Sequence, residues 1–151
     1  GKAAKQVVTY CIRNDIGTLI VGYNTTFQRS SDLGRRMNQV FVGIPFGILR
    51  RKLKYLCEMN GIRYVEQEES YTSMASFWDL DEMPVYGEAG LVPPVFSGRR
   101  ICRGLYQDRS GRRINADVNG ALNIMRKCNI VSLRALYARG DVDTPVRIRI
   151  A

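Results

Sequence analysis

Between Lys2 and Gln67 the apolar residues switch repeatedly between helical and strand spacing, and this order limits the fold more than any other property of the chain. Ala4, Val7, Val8, Cys11 and Ile12 recur at helical intervals, so residues 2–14 are predicted as an amphipathic helix. Asn14-Asp15-Ile16-Gly17 ends it with residues that tolerate a left-handed turn. Thr18-Leu19-Ile20-Val21-Gly22-Tyr23 is a short β-branched run of the kind buried in a parallel sheet. A polar, basic stretch from Asn24 to Arg36 reads as an exposed loop, and Phe41, Val42, Ile44 and Phe46 lead into a helix pinned by Pro45 near its first turn. Ile48, Leu49, Leu53, Leu56 and Cys57 mark its buried stripe, Asn60-Gly61 stops it, and residues 62–67 read as a second strand. Helix, strand, helix, strand is an α/β order with parallel crossovers.

From Ser70 to Arg113 regular periodicity disappears, and prolines and glycines punctuate a long irregular insertion. Unstructured loops of that length are uncommon in compact domains and usually serve a function. A helix is expected from Asp117 to about Lys127, then a short helix around Leu133, Leu136 and Tyr137, and an alternating edge strand at residues 146–150. The expected segments are therefore 1–69 (α/β), 70–113 (insertion), 114–128 (final helix) and 129–151 (tail).

The chain has 151 residues, enough for one hydrophobic core, and 45% hydrophobic content excludes disorder. No stretch approaches the roughly 20 apolar residues of a membrane span, and no membrane partner is expected. Lysine and arginine total 23 against 14 acidic residues, a net charge of +9 that favours a polyanionic partner. Arg99, Arg100, Arg103, Arg109, Arg112 and Arg113 crowd the segment before Asp117, and arginine suits bidentate phosphate contacts. The four cysteines form no CxxC pair and histidine is absent, so no zinc site is expected. Cys11 and Cys57 fall on apolar helix faces and read as reduced core residues, which fits a cytoplasmic compartment.

Two acidic groups could carry chemistry. Glu66, Glu68 and Glu69 stand at the end of the second predicted strand, and Asp117 stands at a predicted helix start. Ligands of open α/β sheets gather beyond the carboxyl ends of strands, and carboxylates meeting there bind hard divalent cations. The same residues also read as a solvated strand end and a helix N-cap. Ser70-Tyr71-Thr72-Ser73 follows directly, with hydroxyls suited either to phosphate and sugar or to a turn with local hydrogen bonds. Phe77, Trp78 and Tyr86 could stack on bases or pack in the core.

Glu69-Ser70-Tyr71-Thr72-Ser73, followed by Asn115-Ala116-Asp117-Val118-Asn119-Gly120-Ala121-Leu122-Asn123-Ile124, resembles the C-terminal half of the transposon-encoded TnpB (OrfB) proteins, relatives of the type V CRISPR effector nucleases. The resemblance runs from about residue 4 to residue 127. It implies part of an RNase H-like (RuvC-like) domain, with the insertion in place of a zinc ribbon. The cysteine expected after Tyr-Thr-Ser falls at Ser76, and Cys102 stands alone. The implied activity is Mg²⁺- or Mn²⁺-dependent hydrolysis of DNA guided by RNA, with guide RNA and target DNA as partners in the bacterial or archaeal cytoplasm, near the nucleoid.

Asp117 matches the last aspartate of the family's catalytic triad. The family's glutamate stands where this chain has Gly22, which points to Glu69 as the second ligand, with Glu68 and Glu66 as alternatives. The first aspartate is expected upstream of Gly1 or on a partner segment. Tyr71, Thr72, Ser73, Arg99, Arg100, Arg103, Arg112 and Arg113 are the expected nucleic-acid contacts. The competing expectation is an inactive or split remnant that binds RNA or DNA without cutting it.

Overall fold

Two helices that end in the same way organise the N-terminal part of the chain. The computed structural model describes residues 1–24, 46–87, 94–142 and 145. These fall into two units, divided between Glu66 and Gln67.

In the first unit, α1 (Lys2–Arg13) is followed by β1 (Thr18–Tyr23), and α2 (Phe46–Met59) by β2 (Arg63–Glu68). Ala4, Val8 and Cys11 of α1 pack with Leu53 and Cys57 of α2 and with Ile62, all buried. Each helix closes on a left-handed residue, Asp15 at φ 53° and Gly61 at φ 69°. Beyond it the isoleucine amide reaches back into the last turn: Ile16 N–H to Cys11 O at 2.8 Å, and Ile62 N–H to Cys57 O at 2.9 Å. Both are Schellman closures, in which the residue after the left-handed one also makes the apolar contact. The closures aim the chain into the strands, and Arg63 N–H donates to Gly17 O at 2.9 Å as β1 and β2 pair in a two-stranded sheet. The helix and strand readings for residues 2–14, 18–23 and 62–67 hold to within a residue or two. The predicted basic loop from residue 25 onward, and the lead-in before Phe46, lie outside the described residues.

The second unit contains β3 (Arg99–Cys102), β4 (Leu105–Gln107) and β5 (Arg113–Asn115), then α3 (Ala116–Cys128) and the short α4 (Arg134–Arg139). The three strands form an antiparallel meander in the order β3-β4-β5. This corrects the expectation of an irregular insertion for residues 99–113; among the described residues from 70 to 98 no helix or strand occurs, as expected. The strands are only 3–4 residues long, the outer two carry arginine, and they are joined by tight turns at Gly104 (φ 83°) and Gly111 (φ 90°). Their period of two is too brief to stand out against the turn residues. The expected short helix near Leu136 is present as α4, whereas the expected strand at 146–150 lies outside the described residues. Tyr106, Ile114 and Ala116 form the buried centre, with Trp78, Val118, Leu122 and Val142 packed against it. Phe77 is fully buried and stacks on Tyr137 at 4.7 Å, so core packing, not base stacking, occupies this ring.

The two closures make opposite demands on side chains. Gly61→Ala places a Cβ in the left-handed region and is expected to lower stability by about 1 kcal/mol. Asp15→Gly is expected to be neutral or slightly stabilising. Chemical denaturation of both variants checks this, and equal losses would show that the closures do not govern the helix ends.

Candidate nucleic-acid interface

The start of α3 is fixed by the residue before it. The Asn115 side chain accepts hydrogen bonds from the Asp117 and Val118 amides at 2.9 and 3.1 Å, so Asn115 is the N-cap and Asp117 is not. Asp117 stands exposed in the first turn, where the helix dipole favours its negative charge. Among the described residues, no cation pairs with its carboxylate.

The Glu69–Phe77 segment runs along α3 in the opposite direction, held by a ladder of side-chain bonds. Lys127 Nζ donates to Ser70 O at 2.9 Å. Asn123 Nδ2 donates to Thr72 O at 2.9 Å and Ala75 O at 2.8 Å. Asn119 Nδ2 donates to Ala75 O at 2.8 Å, while its Oδ1 accepts from the Phe77 amide at 3.0 Å. Both asparagines are fully buried. They lie four residues apart, one helical turn, and read the backbone of the Tyr-Thr-Ser turn rather than its side chains. Sequence reasoning missed this role; the signal was an Asn-x-x-x-Asn spacing on the face that also buries Ala116.

The ladder sorts the Ser70–Ser73 hydroxyls. The Ser70 hydroxyl accepts from the Tyr86 amide at 3.2 Å, and the Thr72 hydroxyl donates to Glu69 O at 3.0 Å; both residues are buried. Tyr71, at φ 63°, packs edge-on against Tyr86 and tilted against Phe96. Ser73 alone of the three expected contacts Tyr71, Thr72 and Ser73 is exposed.

The candidate glutamates are each engaged within their own unit. Glu66 is tied to Arg50 and accepts from the Tyr64 hydroxyl at 3.0 Å; the Arg50 hydrogen bond outweighs burial and holds its carboxyl below the usual glutamate range. Glu68 pairs with Lys127 at 2.8 Å and also takes the Ser70 amide. Burial pushes the Glu68 carboxyl up, but those hydrogen bonds prevail and keep it low. Lys127 lies ten residues beyond Asp117 on α3, roughly 15 Å along the axis at ~1.5 Å per residue. A lysine leaning back toward the N-terminus shortens that gap only in part. Glu68 is thus held toward the far end of the helix from Asp117, and the chain direction puts Glu69 nearer Lys127 than Asp117. Among the described residues, no three of His, Cys, Asp and Glu gather closely enough to hold a metal ion.

Where the resemblance places a zinc ribbon, carboxylates tie the loops together. Asp81 accepts from the Ser76 amide at 2.8 Å, the Ser97 amide at 2.9 Å and the Ser97 hydroxyl at 2.5 Å. Asp79 accepts from the Ser76 hydroxyl at 2.7 Å and the Arg109 amide at 2.9 Å. Asp108 takes the Ser110 hydroxyl and the Arg112 amide.

The meander arranges the arginines. Arg99, Gln107 and Arg113 are cross-strand partners and share one face. Arg100, Tyr106 and Ile114 share the other, where Tyr106 and Ile114 are buried. Arg99, Arg100, Arg103 and Arg113 are exposed. Arg112 instead lies over the Trp78 ring at 4.8 Å and pairs with Asp108 at 3.5 Å, so it is already used in holding the unit together. The Tyr106 hydroxyl donates to Met74 O at 2.8 Å, and burial raises its pKa to about 12.

A family model described as "Cas12f1-like, TNB domain" matches residues 46–124, more than half of the chain. It names a TNB domain and not a RuvC domain. Among solved structures, a chain of a Cas12f1–sgRNA–target DNA complex determined by cryo-EM is similar in fold, with a TM-score of 0.50 and 20% identity. The match covers 82% of this chain and 31% of that one. None of the curated proteins matches.

Two outcomes follow from the ladder. Asn119→Ala strands the Phe77 amide and Asn123→Ala strands Thr72 O, each expected to cost about 1–3 kcal/mol. The double variant is expected to cost more than the sum, because Ala75 O then loses both donors. Urea denaturation of the full cycle measures this, and strict additivity would contradict the shared acceptor. Acid provides the second. A carboxylate with a depressed folded pKa contributes stability above about pH 4.3 that is lost as pH falls through the folded value. Glu68→Gln should therefore lower stability at neutral pH and flatten its decline below pH ~4.3; an unchanged acid slope would place that decline in other groups.

Proposed function

Because the chain belongs to the Cas12f1-like TNB-domain family, we propose that it is the nucleic-acid-handling segment of an RNA-guided nuclease and that Asp117 lends one carboxylate to the site of DNA cleavage. The observation that carries this reading is the path from β3 to α3. Exposed Arg99 and Arg113, on either side of the half-buried Gln107, with Arg100 and Arg103 close by, lead into the helix whose first turn presents Asp117. Arginines spaced across a sheet grip successive phosphates, and a net charge of +9 adds counterion release to their contacts. Such contacts position a strand without reading its sequence. In this reading sequence choice belongs to guide RNA paired with target DNA.

The finer reading takes the α/β elements as part of an RNase H-like (RuvC-like) domain. Asp117 is one ligand of Mg²⁺ or Mn²⁺, and the first aspartate comes from an upstream or partner segment. A divalent cation there would activate water and neutralise charge on the phosphodiester. Glu69 was the expected second ligand, but the ladder favours a supporting role for it at the Lys127 end of α3.

In the complete, guide-loaded protein, Asp117→Ala is expected to reduce Mg²⁺-dependent cleavage by about 10³-fold or more, equivalent to the several kcal/mol a metal ligand supports. Binding of guide and target should stay within about twofold of wild type. Glu69→Gln should cost far less than Asp117→Ala. Undiminished cleavage by Asp117→Ala would end the assignment. A second reading, a module that binds without cutting, is favoured by the engagement of Glu66 and Glu68 in ion pairs. Salt-sensitive binding with no metal-dependent cutting in the complete protein would select it.

A further inference from the structure

Three backbone amides open α3, and each is already engaged within the second unit. Ala116 N–H donates to Gly104 O at 2.9 Å. The Asp117 and Val118 amides both donate to the Asn115 side-chain oxygen, at 2.9 and 3.1 Å. A helix begins with donors that need partners from outside its own ladder. Here one neutral side chain meets two of those needs. It does so from an extended backbone, φ −55° and ψ 132°, because Asn115 is also the last residue of β5 and pairs there with Leu105. The sheet sets the cap before the helix begins.

Asp117 competes for the same role. Aspartate caps as well as asparagine does, and Asp117 stands in the first turn, two residues past the cap. Without the Asn115 oxygen, the Asp117 and Val118 amides lose their acceptor, and a helix start two residues later repairs the loss. Asp117 then becomes the N-cap, its carboxylate turned to the amides two and three residues on. The slip goes no further, because Asn119 is held by both ends of its side-chain amide. Its Nδ2 donates to Ala75 O at 2.8 Å, and its Oδ1 accepts from the Phe77 amide at 3.0 Å. A carboxylate that caps its own helix gives up those hydrogen bonds to take a cation. In the structure Asp117 is exposed instead, and among the described residues no ion pair holds it.

We infer that Asn115 is a positioning residue for the site of cleavage: by occupying the cap it keeps the Asp117 carboxylate out of the helix's own hydrogen bonds and open to a divalent cation. The inference rests on the reading of Asp117 as a metal ligand. It adds that affinity for the cation depends on a neutral side chain that acts through Asp117. A residue at position 115 without a side-chain acceptor weakens the cation site while leaving the carboxylate itself in the sequence. This separates Asn115 from Asn119 and Asn123, whose bonds hold the turn and not the carboxylate.

Backbone NMR of the 151-residue chain reads the cap directly. In Asn115→Ala the Cα chemical shifts of Ala116 and Asp117 are expected to lose their helical values while Asn119 keeps its own. Asn115→Ser restores an acceptor and should keep all three helical. In the complete, guide-loaded protein, cleavage is then measured against Mg²⁺ concentration. Asn115→Ala is expected to raise the half-saturating Mg²⁺ by about fivefold or more, with the rate at saturating Mg²⁺ within about twofold of wild type. Asn115→Ser should return the half-saturating concentration to the wild-type value. Gly61→Ala, which costs comparable stability in the first unit, should leave the Mg²⁺ dependence unchanged. Helical shifts retained in Asn115→Ala, a wild-type Mg²⁺ dependence, or a loss of rate that neither Mg²⁺ nor Asn115→Ser restores would overturn the positioning role while leaving Asp117 as a ligand. Undiminished cleavage by Asp117→Ala would overturn the ligand assignment, and the role of Asn115 with it.

Discussion

The hydrogen bonds of Asn119 and Asn123 are the interaction on which the second unit depends. Each buried amide uses both its oxygen and its nitrogen, and none of the four groups is left to water. A turn such as residues 69–77, where the backbone makes few regular hydrogen bonds, cannot otherwise be buried without large desolvation costs. With the asparagines in place, Ser70, Thr72, Ala75, Ser76 and Phe77 all become buried. Tyr137 closes the same turn from α4 by donating to Phe77 O at 3.0 Å. The Tyr-Thr-Ser turn and the Asn115–Ile124 helix are thus two halves of one contact, which is why the two motifs occur together.

Among the described residues, several acidic side chains hold the backbone in place, and Asp117 is not one of them. Asp79, Asp81 and Asp108 bind amides and hydroxyls that hold the loops of the insertion, and Glu66 and Glu68 bind arginine and lysine. A carboxylate satisfied by two or three protein donors gains little from a cation and gives up its hydrogen bonds to take one. Asp117 differs because Asn115 relieves it of capping α3. The cap residue carries the structural work, and the charge two positions on stays available at a place the helix field already favours.

Legibility in the sequence followed the length of each pattern. The helices α1 and α2 repeat their apolar spacing over three to four turns, and Asp15 and Gly61 punctuate them; both elements and the buried cysteines were readable. The meander was not, because three or four residues per strand give period two no room, and its arginines read as a charge cluster rather than as alternate faces. Asp117 was legible as a carboxylate at a helix start, but its neighbour's capping role was not, since Asn115 and Asp117 are equally good caps by residue type. The buried asparagines were hidden for a related reason. Residue type alone marks asparagine as a surface or turn residue, and only the spacing of the pair, read together with a distant turn, reveals a clamp.

The direction of the clamp also decides between carboxylates that composition treats alike. Because the turn runs antiparallel to α3, residues early in it pair with the end of the helix and residues late in it pair with the start: Ser70 with Lys127, Phe77 with Asn119. A parallel course would have set Glu68 and Glu69 beside Asp117 and completed a carboxylate pair. The observed course sets the meander beside the helix start instead, since β5 runs directly into Ala116 and Ala116 N–H donates to Gly104 O at 2.9 Å in the β3–β4 turn. The groups that accompany Asp117 within this unit are therefore those of an arginine-bearing sheet, which suits the side of a reaction centre that holds a phosphate backbone.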